Sequence, residues 1–482
     1  MRIHLNPQLA CLCAAAISLL SGCAMVGPEY RTPANPAPAI WFQADAAKDV
    51  ARTEASGNLS RWWRSFNDPL LSGLVEQALQ SSPDLRSAQA RLREARARRT
   101  VAAAGLYPDV GASFDARRSK SSEETGSGAA QNTFSAGFDA GWELDVFGGT
   151  RRGIEAADAD LQATQAGLYD TQVSLAAEVA LNYIELRTYQ IRLRIARDNL
   201  VSQAETLQLT DWRAQAGLVS SQDTEQARAN LEQTRAQIPS LERSFAEAEH
   251  RLAILLGLPP GSLYARMAAN AELPKAPTAV AVGIPAETLR QRPDVRAAER
   301  RLAAETSRLG AAEAARYPGF KLSGSIGLEA LAFSALGNSG AGAYSLLAGI
   351  SAPIFNAGRL RAQVDIQDAV REQTLIDYER TVLGALGDVE NALAALAKSR
   401  EREQALAIAT ESSRNAALLA RNRYSAGLID FQSVLDTERS VLSIEDSLAS
   451  TRADGISAVI RLYKALGGGW SPASPIAGKG AS

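Results

Sequence analysis

The chain of 482 residues is poor in reactive side chains: it has three cysteines and two histidines. Cys11 and Cys13 precede Cys23, and no thiol follows, so a chain starting at Cys23 has no disulfide to form even in an oxidising compartment. His250 is the only histidine after His4, which excludes a His/Cys metal cluster and a histidine-based triad. His250 is expected as a solvated or packed helix residue. Aromatics make up only 6%, and the formal net charge of −2 offers no basic surface for nucleic acid. Long hydrophobic runs are missing as well, because the apolar stretch 9–20 is too short to span a bilayer. This lack of chemistry argues against an enzyme and against any cofactor other than a covalent lipid.

What is present begins with Arg2, the apolar run and then small residues, the grammar of a cleaved signal peptide over 1–22. The run ends in Leu20-Ser21-Gly22-Cys23, which resembles a bacterial lipobox and implies cleavage before Cys23 and its acylation. Several acyl chains on one residue hold a protein to a membrane, whereas one is marginal. Residues 23–60 contain Pro28, Pro33, Pro36 and Pro38 and are expected as an extended tether. The Gly/Pro-containing 468–482 is expected as a flexible tail.

Between these ends the sequence is written twice. Pro83-Asp84-Leu85-Arg86 recurs as Pro293-Asp294-Val295-Arg296, Tyr107-Pro108 as Tyr317-Pro318, Ala216-Gly217-Leu218 as Ala426-Gly427-Leu428, and Leu256-Gly257 as Leu466-Gly467, always 210 residues apart. That offset is too long for a solenoid, so it marks two copies of one half. Each half reads as helix, two strands, very long helix, tight turn and long helix. The organisation expected is helices in 61–106, a β-hairpin in 107–147, a coiled-coil hairpin with a connecting region and the next helix in 148–316, a second β-hairpin in 317–355, and a second coiled-coil hairpin in 356–467.

The strands alternate with period two. Phe134, Ala136, Phe138, Ala140, Trp142 and Leu144 oppose Ser135, Gly137, Asp139, Gly141, Glu143 and Asp145. Three other runs, from Asp109, Phe320 and Tyr344, do the same, with Leu347 out of phase. One apolar and one polar face over about ten residues is the pattern of a transmembrane β-barrel, and four strands in two hairpins make a poor soluble sandwich. The acidic polar face, with Asp109, Asp115, Asp139, Glu143, Asp145 and Glu329 against Arg117 and Lys321, predicts a modest cation preference. The loop after the first strand is polar, while that of the second hairpin carries Leu331, Phe333 and Leu336.

Ile154, Leu161, Leu168 and Leu175 follow one another by seven, and after a four-residue step so do Val179, Leu186, Leu193, Leu200 and Leu207. A sustained seven-residue period predicts a left-handed coiled coil. A helix over 149–215 would be roughly 100 Å long. Pro239 is expected to interrupt and bend the returning helix. Four strands cannot close a barrel, and open edges in lipid cost several kcal/mol per unpaired backbone group. The barrel must be shared. Two copies give eight strands and a filled interior, and three give twelve strands with a lumen; strand counting alone does not choose three over four.

The duplication, the lipobox, Trp62-Trp63 with Phe66, Asp68-Pro69-Leu70, the strand end at Trp142 to Gly148 and the Arg292 to Arg300 segment together resemble the outer-membrane factors of tripartite efflux systems (the TolC/OprM-like family), most of all their NodT-type lipoproteins. The resemblance covers 26–466. It implies a homotrimer with a twelve-stranded β-barrel in the outer membrane and a twelve-helix α-barrel in the periplasm. It also implies a periplasmic adaptor and an inner-membrane transporter, usually of the resistance-nodulation-division class. The expected function is a passive exit channel for small toxic compounds or drugs, the alternatives being the exit channel of a type I protein secretion system or a non-conducting structural lipoprotein.

The resemblance places adaptor docking at the helix turns, on Gly217, Leu218 and Ser221 and on Gly427 and Leu428. It aligns Tyr424 and the Val434-Leu435-Asp436 segment with the family's pore-closing region, and Asp436 with its constriction aspartate. Ser433 and Gln432 depart from the residues that relatives carry there, and an arginine near Ser425 is missing, so the closed state is expected to be held by different contacts.

Overall fold

A computed structural model describes residues 25–34, 37–43, 51–52, 59–269, 272–277 and 279–470. The signal peptide 1–22, Cys23 and the tail from 471 lie outside the described residues. In chain order the elements are β1 (Ala51–Arg52), a 3-10 helix (Leu59–Phe66), α1 (Pro69–Ser81), α2 (Pro83–Ala104), β2 (Asp109–Lys120), β3 (Ala130–Leu144), α3 (Gly149–Gln215), α4 (Ser221–Leu255), α5 (Tyr264–Met267), β4 (Val280–Ala281), α6 (Pro285–Gln291), α7 (Pro293–Ala314), β5 (Gly319–Ala330), β6 (Gly342–Ser351), α8 (Arg359–Ser425) and α9 (Phe431–Ala465). Helices α2, α3 and α4 and strand β2 recur as α7, α8, α9 and β5 at the predicted offset, residue for residue.

The chain divides into two compact units. One comprises Met1–Pro33, Arg91–Gln165 and Ala297–Glu379. Its sheet has the order β2-β3-β5-β6, antiparallel throughout, so β2 and β6 are its edges. Register puts like with like. Ser135 faces Glu329, Asp139 faces Ser325 and Glu143 faces Lys321, while Phe138 opposes Ile326 and Trp142 opposes Leu322. On the polar side, Ser113 donates to Asp139 at 2.9 Å. Gly137 and Gly327 sit opposite each other, and a Cβ on Gly327 would come within 2.4 Å of the Ala136 carbonyl, so only glycine fits. The apolar side is bare: Phe138, Ile326, Tyr344, Leu346 and Ile350 are all exposed.

Asp145, expected on the polar strand face, lies beyond the end of β3. Its carboxylate accepts from the backbone N–H groups of Thr150 and Arg151 at 3.0 and 2.9 Å and pairs with the Arg151 guanidinium, capping α3. Pairing in the first hairpin runs out to Lys120 and Ala130, which leaves a loop of 121–129. Phe333 in the second loop packs edge-on against Phe114 and Phe134, at ring separations of 6.3 and 5.9 Å. That loop is apolar because it folds onto the apolar face of the sheet. At the opposite end Phe147 stacks on Tyr317 at 4.7 Å.

Residues 25–33 of the proline-containing start are docked along this unit rather than forming a free tether. Val26 N–H donates to the Phe147 carbonyl at 3.2 Å, Arg152 donates to the carbonyls of Val26 and Gly27, and the Tyr30 hydroxyl donates to Glu299 at 3.0 Å. Gly27, at φ +90°, lies so close that a Cβ would come within 2.4 Å of the Gly310 Cα.

The other unit comprises Ala34–Ala90, Ala166–Arg296 and Arg380–Ser482. Its core gathers Trp62, Trp63, Phe66, Leu71 and Leu74 with Tyr183, Leu186 and Tyr463, and Trp62 stacks on Tyr463 at 5.2 Å. Trp41 is buried and donates its indole N–H to the Gly283 carbonyl at 3.2 Å. The beginning of the expected flexible tail is docked too: Gly469 N–H donates to the Leu59 carbonyl at 2.9 Å, and Trp470 stacks on Tyr169 at 4.6 Å. Helix α4 continues through Pro239, which costs the helix one hydrogen bond and does not interrupt it. His250 is half-exposed, 3.6 Å from Glu249.

Along α3 the buried stripe follows the expected seam through Val179, Leu186 and Leu193 and then leaves it. Leu200 and Leu207 are only half-buried, and the buried positions become Asn199, Gln203, Thr206 and Thr210, at spacings of four, three and four. Heptad spacing is kept, but the residues that occupy it are polar.

Candidate functional site

The two helical hairpins of the second unit end in turns with the same backbone. In each a glycine takes a left-handed conformation, Gly217 at φ +72° and Gly427 at φ +73°. Leu218 N–H returns to the Arg213 carbonyl at 2.8 Å, and Leu428 N–H to the Arg423 carbonyl at 2.9 Å. This pairing satisfies the last carbonyls of α3 and α8. The next helices start on side-chain caps. Ser220 and Asp223 form a reciprocal capping box for α4, and Asp430 accepts from the backbone and hydroxyl of Ser433 for α9, at 3.0 and 2.7 Å. These two bonds from Ser433, the hydroxyl's first, hold the Asp430 carboxyl below its usual range. Leu218 and Leu428 are two-thirds or more exposed, and nothing lies within 4 Å of a Cβ built on Gly217. Gly217, Leu218, Gly427 and Leu428, with Ser221 at the first turn of α4, are therefore presented to solvent.

The residues expected at the constriction separate into three settings. Gln432 and Asp436 are exposed one helical turn apart, and the Gln432 amide donates to Asp436 at 2.9 Å. Ser433 is turned to the Asp430 cap. Tyr424 is 1% exposed, its ring packed among Ala227, Ala420, Phe431, Val434 and Leu435. Its side chain pins the second hairpin to the first instead of facing solvent.

Arginine does reach Tyr424, but from the other hairpin. Arg213 of α3 lies over the Tyr424 ring at 4.4 Å and donates to its backbone carbonyl, while the Tyr424 hydroxyl meets Thr210 at 3.4 Å. Above it stand two further polar layers, each built on a buried glutamate of α9. In one, Glu438 accepts from Thr206 at 2.5 Å and from Arg421 at 3.3 Å, and Arg421 also bonds Ser202. In the other, one heptad on along each helix, Glu445 accepts from Asn199 at 3.1 Å and from Arg414 at 2.6 Å. The three layers tie α3 to α8 and α9. Burial raises the Glu438 carboxyl above its usual range, and the bonds from Thr206 and Arg421 offset only part of that. Between the layers, Gln203 is 2% exposed and both its side-chain polar atoms lack a partner among the described residues. A buried polar seam with an unsatisfied amide is weaker than an apolar one. The heptad run of Asn199, Gln203, Thr206 and Thr210 was the available signal for it.

No group of three or more His, Cys, Asp or Glu among the described residues is arranged to hold a metal ion. No helix among them is long and apolar enough to cross a membrane.

A family model described as outer membrane efflux protein matches residues 74–258 and 284–468, one match per half. The chain belongs to this family. It is 35% identical over 479 residues, 97% of its length and 99% of the relative's, to the pyoverdine export outer membrane protein OpmQ of Pseudomonas putida. It is 33% identical to nodulation protein T of Rhizobium leguminosarum bv. trifolii, with 94% of the chain and 96% of the relative covered. Among solved structures it resembles the outer-membrane channel OprN, with 39% identity, a TM-score of 0.86, and 92% of this chain and 99% of that one covered. It also resembles the open state of the Neisseria gonorrhoeae MtrE channel, with 27% identity, a TM-score of 0.78, and coverage of 92% and 98%. The protein is an outer-membrane efflux channel. As a channel of this family it is not an enzyme, and its function is passage through the outer membrane.

Proposed function

We propose that three copies of the chain form the passive exit duct of a tripartite pump, acylated at Cys23 and docked through its helix turns on a periplasmic adaptor and a transporter of the resistance-nodulation-division class. The observation that carries this reading is the four-stranded sheet with two unpaired edges and a bare apolar face. Lipid covers the face, and β6 of one copy must pair with β2 of the next, since unpaired backbone in hydrocarbon costs several kcal/mol per group. Three copies supply twelve strands around a lumen, together with twelve long helices.

The exposed pair Gln432–Asp436 faces that lumen in this reading, so three Asp436 carboxylates form a cation-attracting ring. Tyr424 and the polar seam behind it hold the second hairpin against the first, and the duct opens when the seam parts. The turns at Gly217, Leu218 and Ser221 and at Gly427 and Leu428 are the adaptor's contacts. In support of the anchor, Met25, two residues beyond Cys23, packs on Gly148, where a Cβ would come within 2.6 Å of its Cγ. The test is the mass of the purified protein in lipid together with its conductance in a planar bilayer. Three chains per particle and discrete single-channel steps are expected; a non-conducting or monomeric particle overturns the reading.

A further inference from the structure

Away from the turns, α3, α8, α9 and the segment 272–276 line an open cavity of about 850 Å³. Small-molecule sites occupy about 300–1,000 Å³. Its apolar lining comes from Ile191, Ile195, Leu396, Leu448 and Ile456. Its charged lining is uneven. Arg414 pairs with Glu445 at 2.6 Å and Arg452 with Glu403 at 3.1 Å, so these four cancel. Arg194, Lys275 and Arg400 remain, against Asp198 and Glu272. Arg194, Lys275, Asp198 and Glu272 are exposed and screened by water, whereas Arg400 is half-buried. Among the described residues no hydrogen bond or ion pair engages the Arg400 guanidinium, which leaves a planar fork of donors in the lining of the same cavity.

We propose that this cavity binds an amphipathic organic carboxylate. The carboxylate takes two parallel hydrogen bonds from Arg400, the geometry in which guanidinium binds carboxylate best. The apolar body lies against Ile195, Leu396 and Leu448. Asn199, Arg414 and Glu445 line the same cavity and form one layer of the polar seam. An occupant therefore touches α3, α8 and α9 together and holds the seam closed. That last consequence rests on the gating role given to the seam; the binding itself does not.

The test uses the full-length protein in lipid nanodiscs, titrated calorimetrically with 2-naphthoate and with its cationic counterpart 2-naphthylmethylammonium, after subtraction of empty nanodiscs. Saturable binding of naphthoate is expected, at least tenfold tighter than the cation, and Arg400→Gln should weaken it at least tenfold. Arg400→Met, which keeps the apolar stem, repeats the measurement if Arg400→Gln fails to give stable protein. Binding only to empty nanodiscs, equal affinity for the two probes, or an affinity unchanged by loss of the guanidinium overturns the proposal. If binding is as expected, naphthoate should lower open probability in a planar bilayer; binding without that effect refutes the gating role of the seam and leaves the site in place.

Discussion

Replacing Glu438 by alanine removes the acceptor of the middle layer of the seam. Two bonds go with it, from Thr206 at 2.5 Å and from Arg421 at 3.3 Å. Hydrogen bonds to charged groups are each worth about 1.5–3 kcal/mol. Two effects reduce that sum. The Arg421 side chain is 30% exposed and keeps Glu205 at 3.6 Å and its bond to Ser202, so its charge is not stranded. The carboxylate itself is buried at a cost, and the same burial pushes its pKa up. A net loss of about 2 kcal/mol per copy remains, roughly thirtyfold in an open–closed ratio. If three copies add, the shift is about 6 kcal/mol, enough to move a gate from mostly closed to mostly open. Open probability in a planar bilayer is the assay, with trimer mass as control. Glu438→Gln, which keeps an acceptor for Thr206, should give less than half the effect. The pH sense is fixed by the direction of the shift. A carboxyl raised in the folded state contributes stability that is fully present below its unfolded value of about 4.5 and lost as pH rises through the folded value. Wild-type open probability should therefore rise with pH through that window, and Glu438→Gln should lose this component. Unchanged gating in an intact Glu438→Ala trimer would refute the role given to the seam.

Other outcomes follow from the turns, the ring and the anchor. A side chain on Gly217 or Gly427 has room but must adopt positive φ, at about 1–2 kcal/mol. Gly217→Asp and Gly427→Asp should thus leave trimers intact while abolishing efflux in a complemented deletion strain; loss of the trimer would make these glycines structural only. Asp436→Ala should reduce cation block and change single-channel conductance, and unaltered electrophysiology would remove Asp436 from the constriction. Gly27→Val puts a Cβ on the Gly310 backbone and should free the segment 25–33, read as faster tryptic cleavage after Arg31; undiminished protection would contradict the packing described. Cys23→Ser should no longer incorporate labelled palmitate, and continued labelling would place the acyl chains elsewhere.

Repetition and periodicity made the fold legible. The offset between halves located α2, α3, β2 and their copies, and alternation located both hairpins, because both signals follow from backbone geometry within one element. Failures came where a partner from another element decides. Leu200 and Leu207 keep the seven-residue period, yet α8 and α9 present Arg414, Arg421, Glu438 and Glu445, so the buried face of α3 turns to Asn199 and Thr206 instead. Asp145 extends the strand alternation, but the N–H groups of α3 claim its carboxylate. Phe333 reads as an exposed loop residue until Phe114 and Phe134 are brought beneath it. At the candidate site the turn glycines were plain from sequence. The burial of Tyr424 and the arginine that covers it were not, because Arg213 lies two hundred residues away in the chain.

The change of character along α3 has a consequence for solvent and temperature. Around Val179, Tyr183 and Leu186 the helix is held by apolar burial, which weakens on cooling and strengthens in sulfate or phosphate. Around Asn199 and Thr206 it is held by charge-assisted bonds in which Arg414 and Arg421 take part, and the partly exposed pairs among these weaken with ionic strength. One continuous helix thus has a salt-sensitive stretch toward its C-terminal end and a cold-sensitive stretch at its middle. Hydrogen exchange along α3 should show the two lengths changing independently as salt and temperature are varied.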